Sequence, residues 1–227
     1  MRVAVIGTGS MGATHARLLS DLPEVTEVLV VEADAARATS VANEIGGRVV
    51  THDEAISAAD AIVIATPADL PAATVEAAVA AGVPALCEKP LTEDLASSAT
   101  LVELVEGAGA HVEMGFQRRH DVAFAEARRR VADGSTGRIE LLRLTAFDPR
   151  GAERSADEWP VTEAAPMLLH SSVHDFDFAR WLTGSEVVEV STTGSHRDGR
   201  RAEDPREIET VVVTMRMSDG ALVSLDA

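Results

Sequence analysis

The chain has 227 residues, 46% of them hydrophobic and 25% charged, with 37 acidic residues against 20 basic ones and a net charge of −17. That length and apolar content supply a core for one large domain or two modest ones. The acidic balance repels phosphate backbones and anionic lipid, which argues against nucleic acid and membrane as partners, and it serves most simply as a solubility device. The single cysteine, Cys87, excludes an internal disulfide and fits a reducing compartment. No apolar run approaches the length of a membrane span, and the glycines at 7, 9 and 12 interrupt any signal-like segment, so a cytoplasmic protein is expected.

The predicted elements alternate through the first half. Residues 3–6 read as a buried strand ending in glycines, 11–20 as a helix, 28–31 as a second strand closed by Glu32, and 35–45 as an Ala-rich helix stopped by Gly46-Gly47. A short strand at 49–50 and a short helix at 53–59 follow. Strands at 61–65 and 84–87 flank a helix at 71–81, and a helix at 95–105 leads to a last strand at 111–114. Apolar runs without polar alternation, separated by helices, predict a parallel sheet covered on both faces. After about residue 120 the rhythm changes. A helix at 121–131, an alternating strand at 138–147, an irregular polar stretch at 148–163 and a helix at 166–182 precede strands at 186–193, 207–217 and 221–225, with turns at Asp198-Gly199 and Asp219-Gly220. Consecutive strands with hairpin-type turns predict a mostly antiparallel sheet. The expected architecture is therefore α/β: a Rossmann doubly wound parallel sheet over residues 1–118, then an α+β domain with an open sheet over 119–227.

Gly7-Thr8-Gly9-Ser10-Met11-Gly12 fits G-x-G-x-x-G and lies where that pattern carries meaning, directly after a strand and at the opening of a helix. The first glycine permits the tight turn, the second the approach of a pyrophosphate, and the third close packing of helix on strand. The helix start offers unpaired N–H groups and the positive end of its dipole to the anion. Glu32 stands at the end of the second strand, where a carboxylate accepts hydrogen bonds from the ribose hydroxyls and repels a 2′-phosphate; Arg37 lies within the next helix. Gly7, Gly9, Ser10, Met11, Gly12 and Glu32 are thus the expected cofactor-binding set, with NAD preferred to NADP.

Glu88-Lys89-Pro90 falls at the carboxyl end of a predicted central strand, where ligands of doubly wound sheets bind. Lys89 is the only lysine in the chain. An ammonium there can hold a substrate hydroxyl and share in its proton transfer, although position alone also fits an exposed loop lysine. His170 and His174 are spaced to share one face of a helix, with Asp177 as a third polar group on that side. Three readings stand: partly buried, satisfied histidines; half of a zinc site, for which no further ligand is evident and no metal is expected; or a proton acceptor for alcohol oxidation.

Taken together, Ala65-Thr66-Pro67, Cys87-Glu88-Lys89-Pro90, Gly115-Phe116-Gln117-Arg118-Arg119 and His174-Asp175-Phe176-Asp177 ahead of Ala179-Arg180-Trp181-Leu182 resemble the Gfo/Idh/MocA oxidoreductases, the group of glucose–fructose oxidoreductase and inositol dehydrogenase. The resemblance runs the whole chain. It implies NAD as cofactor, a sugar, cyclitol or polyol as substrate, and a second domain that binds substrate and forms a homo-oligomer through its sheet. It places the catalytic lysine on Lys89 and the catalytic histidine on His174, with Glu88 and Pro90 shaping the lysine turn. Thr66, Pro67, Glu88 and Arg118 then lie along the cofactor, and Gln117 and His170 join Lys89 and His174 at the substrate. Where an inositol dehydrogenase of this group has Asp four residues before its histidine, this chain has His170, after Ala164-Ala165-Pro166. The chain also stops at Ala227, where such proteins continue with more sheet, so the second domain is expected to be incomplete. The leading expectation is an NAD-dependent dehydrogenase acting on a CH–OH group. The alternatives are a non-catalytic NAD(P)-binding regulatory protein and an NAD-dependent glycosidase; turnover of free polyols, cofactor binding without turnover, or aglycone release would distinguish them.

Overall fold

The computed structural model describes residues 1–67, 70–92, 94–146, 168–195, 208 and 210–227. They form two compact units, Met1–Gly115 and Phe116–Ala227. The expected irregular stretch at 148–163, the first residues of the helix expected at 166–182, the turn at Asp198-Gly199 and the first residues of the strand expected at 207–217 lie outside the described residues.

In the first unit the chain alternates strand and helix: β1 (Arg2–Ile6), α1 (Ser10–Ser20), β2 (Glu27–Val31), α2 (Ala35–Ile45), β3 (Arg48–Val49), α3 (His52–Ala58), β4 (Ala61–Ile64), α4 (Pro71–Ala81), β5 (Ala85–Cys87), α5 (Leu95–Ala108) and β6 (Val112–Met114). All strand pairs are parallel, in the order β3-β2-β1-β4-β5-β6. The two sides of β1 explain its unbroken apolar run. Val3 and Val5 point to one face and pack with Ala13, Ala16, Ala38, Val41 and Ala42 of α1 and α2. Ala4 and Ile6 point to the other and pack with Ala55, Val75, Ala78 and Leu101 of α3, α4 and α5. A strand covered on both faces has no side free for polar residues. The helices are delimited by local chemistry. Asp34, Thr51 and Asp94 accept backbone N–H bonds as N-caps, and Gly46, Gly82 and Gly109 take left-handed C-cap positions. The chain begins in the middle of the sheet, winds outward to β3, and returns to β4 on the other side of β1. The carboxyl ends of β1 and β4 therefore flank the point where strand order reverses, the place where doubly wound sheets hold ligands.

The second unit opens with a 3₁₀ turn over Gln117–His120, followed by α6 (Val122–Ala132), β7 (Leu141–Thr145), a π-helical turn over Leu168–Ser172, α7 (Val173–Thr183), β8 (Val187–Ser195), β9 (Thr210–Met217) and β10 (Leu222–Asp226). The sheet order is β7-β10-β9-β8. β10 pairs with β9, and β9 with β8, antiparallel, while β10 and β7 run parallel, so the sheet is mostly antiparallel as expected. Along β9 the buried residues are Val211, Val213, Met215 and Met217, which pack with Val223 and Leu225 of β10 and Ala179 of α7. The alternate positions, Thr210, Val212, Thr214 and Arg216, are exposed. No helix among the described residues is long and apolar enough to cross a membrane.

The first unit depends on one close approach. A Cβ at Gly12 would lie 1.9 Å from the Gly7 carbonyl oxygen, and one at Gly7, whose φ is +86°, would lie 2.7 Å from the Ala65 carbonyl oxygen. Gly12→Ala must therefore push α1 off β1. It is expected to lower the free energy of unfolding by about 1–3 kcal/mol, the usual cost of overfilling a packed site. Urea denaturation followed by circular dichroism measures this, and an unchanged midpoint would refute the tight contact.

Candidate functional site

A cavity of about 610 Å³ opens at the carboxyl ends of the strands in the first unit. Its walls come from four strand ends: Ile6, Gly7, Gly9, Ser10 and Met11 after β1; Val31, Glu32 and Arg37 after β2; Ala65, Thr66 and Pro67 after β4; Glu88 and Lys89 after β5. His52, Leu70 and Thr74 close one side. Of the residues expected at the cofactor, all those in this unit except Gly12 line this space, and Gly12 holds the helix against its floor.

The turn is set by backbone pairing. The Gly7 N–H donates to the Val31 carbonyl at 2.8 Å, tying the glycine loop to β2. Gly9 is the N-cap of α1, whose first turn has no side-chain cap, and a Cβ there would meet nothing within 4 Å. The loop thus presents unfilled space in front of uncapped helix N–H groups, the arrangement that accepts an anion. Glu32 has a buried carboxylate that already accepts from its own surroundings. Oε2 takes the Thr8 N–H at 2.8 Å and the Thr8 hydroxyl at 3.0 Å, and Oε1 takes the Asp34 N–H at 3.1 Å. Burial pushes its pKa up, but these bonds and the nearby Arg37 outweigh that and hold Glu32 below the usual carboxylate range. It stays ionised near neutrality. The stability it contributes is present above the ordinary Glu value and is lost as pH falls through the lowered one. Oε1 keeps a lone pair for a ribose hydroxyl.

Lys89 follows β5 directly, and the Lys89–Pro90 bond is cis. Glu88 is held by His15 of α1, its Oε1 lying 2.7 Å from the imidazole Nε2, and its Oε2 accepts the Lys89 N–H at 3.3 Å. Cys87, the last residue of β5, is fully buried. Burial, with the Glu88 charge, pushes its thiol up to about 12, which removes it from nucleophilic chemistry.

In the second unit His174 stands in the first turn of α7, partly buried. The Phe116 ring meets it edge-on at 6.3 Å, and the Gln117 amide nitrogen lies 3.5 Å from its Nε2. The two acids that follow have arginine partners. Arg118 pairs with Asp175, and Arg119 grips Asp177 with two nitrogens. Both carboxylates are almost fully buried. This corrects two expectations. Asp177 is not a third polar group beside the histidines but the partner of Arg119. His170 lies in the π-helical turn that precedes α7, so the α-helical spacing that put His170 and His174 on one face does not apply. The His170 side chain is outside the described residues. Arg118, expected along the cofactor, is engaged by Asp175. Among the described residues no group of three or more His, Cys, Asp and Glu is arranged to hold a metal.

Residues 1–116 match a family model described as "Oxidoreductase family, NAD-binding Rossmann fold", and residues 124–227 match one described as "GFO/IDH/MocA C-terminal domain". The chain belongs to the GFO/IDH/MocA oxidoreductase family. Its first unit is that family's NAD-binding Rossmann fold. It is 35% identical over 232 residues to a myo-inositol dehydrogenase of Streptomyces leeuwenhoekii, covering 100% of this chain and 69% of that protein. It is likewise 35% identical over 231 residues to an inositol 2-dehydrogenase of Leifsonia xyli, covering 66% of it. Among solved structures it is similar to a putative myo-inositol dehydrogenase of Sinorhizobium meliloti, with a TM-score of 0.88 at 28% identity over all of this chain and 68% of that one. The chain thus spans about two thirds of the length of these relatives.

The cavity fits NAD on its own terms. Its floor is a glycine loop that a side chain would fill, Glu32 retains acceptor capacity, and the Thr66 hydroxyl oxygen, buried on the wall, has no hydrogen-bond partner among the described residues. Sequence reasoning missed His15 and the pairing of Arg118 and Arg119 with Asp175 and Asp177. The one visible signal was the adjacent placing of two arginines and the i, i+2 placing of two acids in segments already singled out.

Removing one partner of a fully buried ion pair costs about 3–5 kcal/mol because the other charge is stranded, and the half-buried Arg118–Asp175 pair falls below that. Asp175 is the more buried partner; Arg118 bonds its Oδ1, and its Oδ2 has no hydrogen-bond partner among the described residues. Arg118→Met should therefore destabilise the protein more than Asp175→Asn, and Arg118→Met combined with Asp175→Leu should recover part of the loss. Equal midpoints for the three variants in thermal unfolding would show that the pair does not hold the head of α7.

Proposed function

We propose that the protein oxidises a secondary hydroxyl of a cyclitol or related polyol with NAD, or reduces the matching ketone. The observation that carries the reading is the cavity that brings the glycine loop, Glu32 and Lys89 together at the strand ends of one sheet. The similarity to inositol dehydrogenases supplies the substrate class. The first unit then serves as the cofactor domain and the second as the substrate domain. The nicotinamide supplies the hydride acceptor or donor. Lys89 donates a hydrogen bond to the substrate oxygen and stabilises negative charge developing there. His174 takes the hydroxyl proton as the C–H hydrogen leaves as hydride, and returns it in the reverse direction. Gln117 orients the His174 ring, and His170 contacts a substrate hydroxyl in place of the acid usual at that position. Glu32 receives the ribose hydroxyls and disfavours NADP through repulsion of its 2′-phosphate.

A panel of inositols and sugars with NAD or NADP, read by absorbance of the reduced cofactor, tests the reading. Turnover with a cyclitol and NAD is expected. Lys89→Met and His174→Ala should each reduce kcat by ~10²-fold or more, the scale of a lost acid–base group, with NAD affinity by calorimetry little changed. His170→Ala should act mainly on KM. NAD binding without turnover of any polyol would favour a binding protein, and a kcat loss at His170 matching that at His174 would move the base to the other histidine.

We further propose a homo-oligomer through the open face of the second sheet. That face exposes Leu141, Val212 and Leu222 among Thr210, Thr214 and Arg216. Apolar side chains set in a flat, polar-rimmed sheet suit a self-complementary contact. Light scattering at micromolar concentration should give more than one chain mass, and Val212→Glu should reduce it. A monomeric parent protein overturns the proposal.

A further inference from the structure

The Glu88 carboxylate is fixed more tightly than a turn-shaping residue requires. It is buried at the edge of the cavity, with side-chain exposure of 12%, and its partner His15 is 21% exposed. Oε1 meets the His15 imidazole at 2.7 Å, while Oε2 receives the backbone N–H of Lys89 at 3.3 Å. The Glu88 N–H donates to the Ile64 carbonyl at 2.8 Å, so the residue is joined to β4. On the other side Gly115 leaves the carboxylate its space: a Cβ there would come within 3.0 Å of the Glu88 carboxyl carbon. Gly115 is in turn held by its N–H to the Cys87 carbonyl at 2.8 Å. Burial alone pushes Glu88 up, and the His15 contact together with the Lys89 N–H brings it back below the usual carboxylate range.

His15 belongs to α1, the helix whose uncapped start faces the cavity. The contact spans 73 positions and links that helix to the residue before the lysine. We infer that His15 is a positioning residue for Lys89, acting through Glu88 to set the lysine turn relative to the helix that receives the dinucleotide. This rests on the reading of Lys89 as the residue that acts on the substrate oxygen. His15 itself does not meet the reacting atoms. Without it, Glu88 is a buried carboxylate short of a partner, which either draws in water or swings outward; each response moves the Lys89 backbone. A shift of order 1 Å in a catalytic group costs up to about 10²-fold in rate.

Because Lys89 is the only lysine in the sequence, growth on ¹⁵N-lysine gives a protein with one labelled backbone amide, the N–H that Glu88 accepts. In His15→Ala this cross-peak should move and its exchange with solvent should quicken. kcat should fall ~10-fold or more, while KM for NAD stays within about twofold. His15→Gln, which carries an amide donor on a side chain of similar reach, should restore both the cross-peak and most of kcat. Where His15→Ala fails to fold, Glu88→Gln should give the same signature in milder form. A His15→Ala protein with unchanged amide and unchanged kcat overturns the inference, as does a loss confined to thermal stability, which would mark His15 as packing only. If Lys89→Met keeps full turnover, the reading of Lys89 fails, while the labelled amide still decides whether His15 sets the turn.

Discussion

The contact between α1 and the end of β1 governs the first unit. With the Gly7 carbonyl where a Cβ of Gly12 would stand, the start of the helix meets the strand end backbone to backbone. The helix start is thereby set over the strand ends, and the loop between is left with bare backbone facing outward. Glu32 is drawn into the same geometry, because its carboxylate closes on the N–H and hydroxyl of Thr8 in the loop itself. Loop, acid and helix are therefore one hydrogen-bonded body. The lysine turn joins it through the His15–Glu88 contact.

The second unit solves a different problem. Its sheet has one packed face, which α7 helps to cover, with His174 partly buried at the head of that helix. The packed side is apolar, built from Ala179 against the buried side chains of β9 and β10. The head of the helix is anchored by charge, with Arg118 and Arg119 reaching Asp175 and Asp177. Buried ion pairs contribute little net stability because desolvation offsets their attraction, but they are specific about geometry. On the proposed reading that suits a helix start bearing His174. Phe124 packing on Phe178 at 4.8 Å supplies the apolar half of the same anchorage between α6 and α7.

How much could be read from the chain follows from the range of the interactions. The parallel sheet was visible because its central strands β1, β2 and β4 are buried on both faces, which writes an unbroken apolar run of four residues into each. The glycine loop and Glu32 were visible because their meaning depends on neighbours along the chain. The mostly antiparallel sheet showed in consecutive strands joined by a hairpin-type turn, as at Asp219-Gly220 between β9 and β10. The partners of Glu88, Asp175 and Asp177 were not visible, since they lie 57 to 73 positions away and only folding brings them together. The π-helical turn at 168–172 was read as ordinary helix, since its residues carry no feature that separates the wider turn from α-helix. That misreading put two histidines on one face.

Among the helix starts of the first unit, the bare one at Gly9 differs in kind from those of α2, α3 and α5, each of which has a side-chain oxygen accepting a first-turn N–H. The start of α4 has a proline, which carries no N–H to satisfy. At α1 the donors have no side-chain cap, so on the proposed reading the pyrophosphate of a dinucleotide would serve as that helix's N-cap. The rest of that first turn is held from within: Gly12 and Ala13 are buried, and the Ala13 N–H donates to the Gly9 carbonyl at 2.9 Å. Binding completes a secondary-structure element as well as filling a cavity. The cofactor is in that sense a component of the fold.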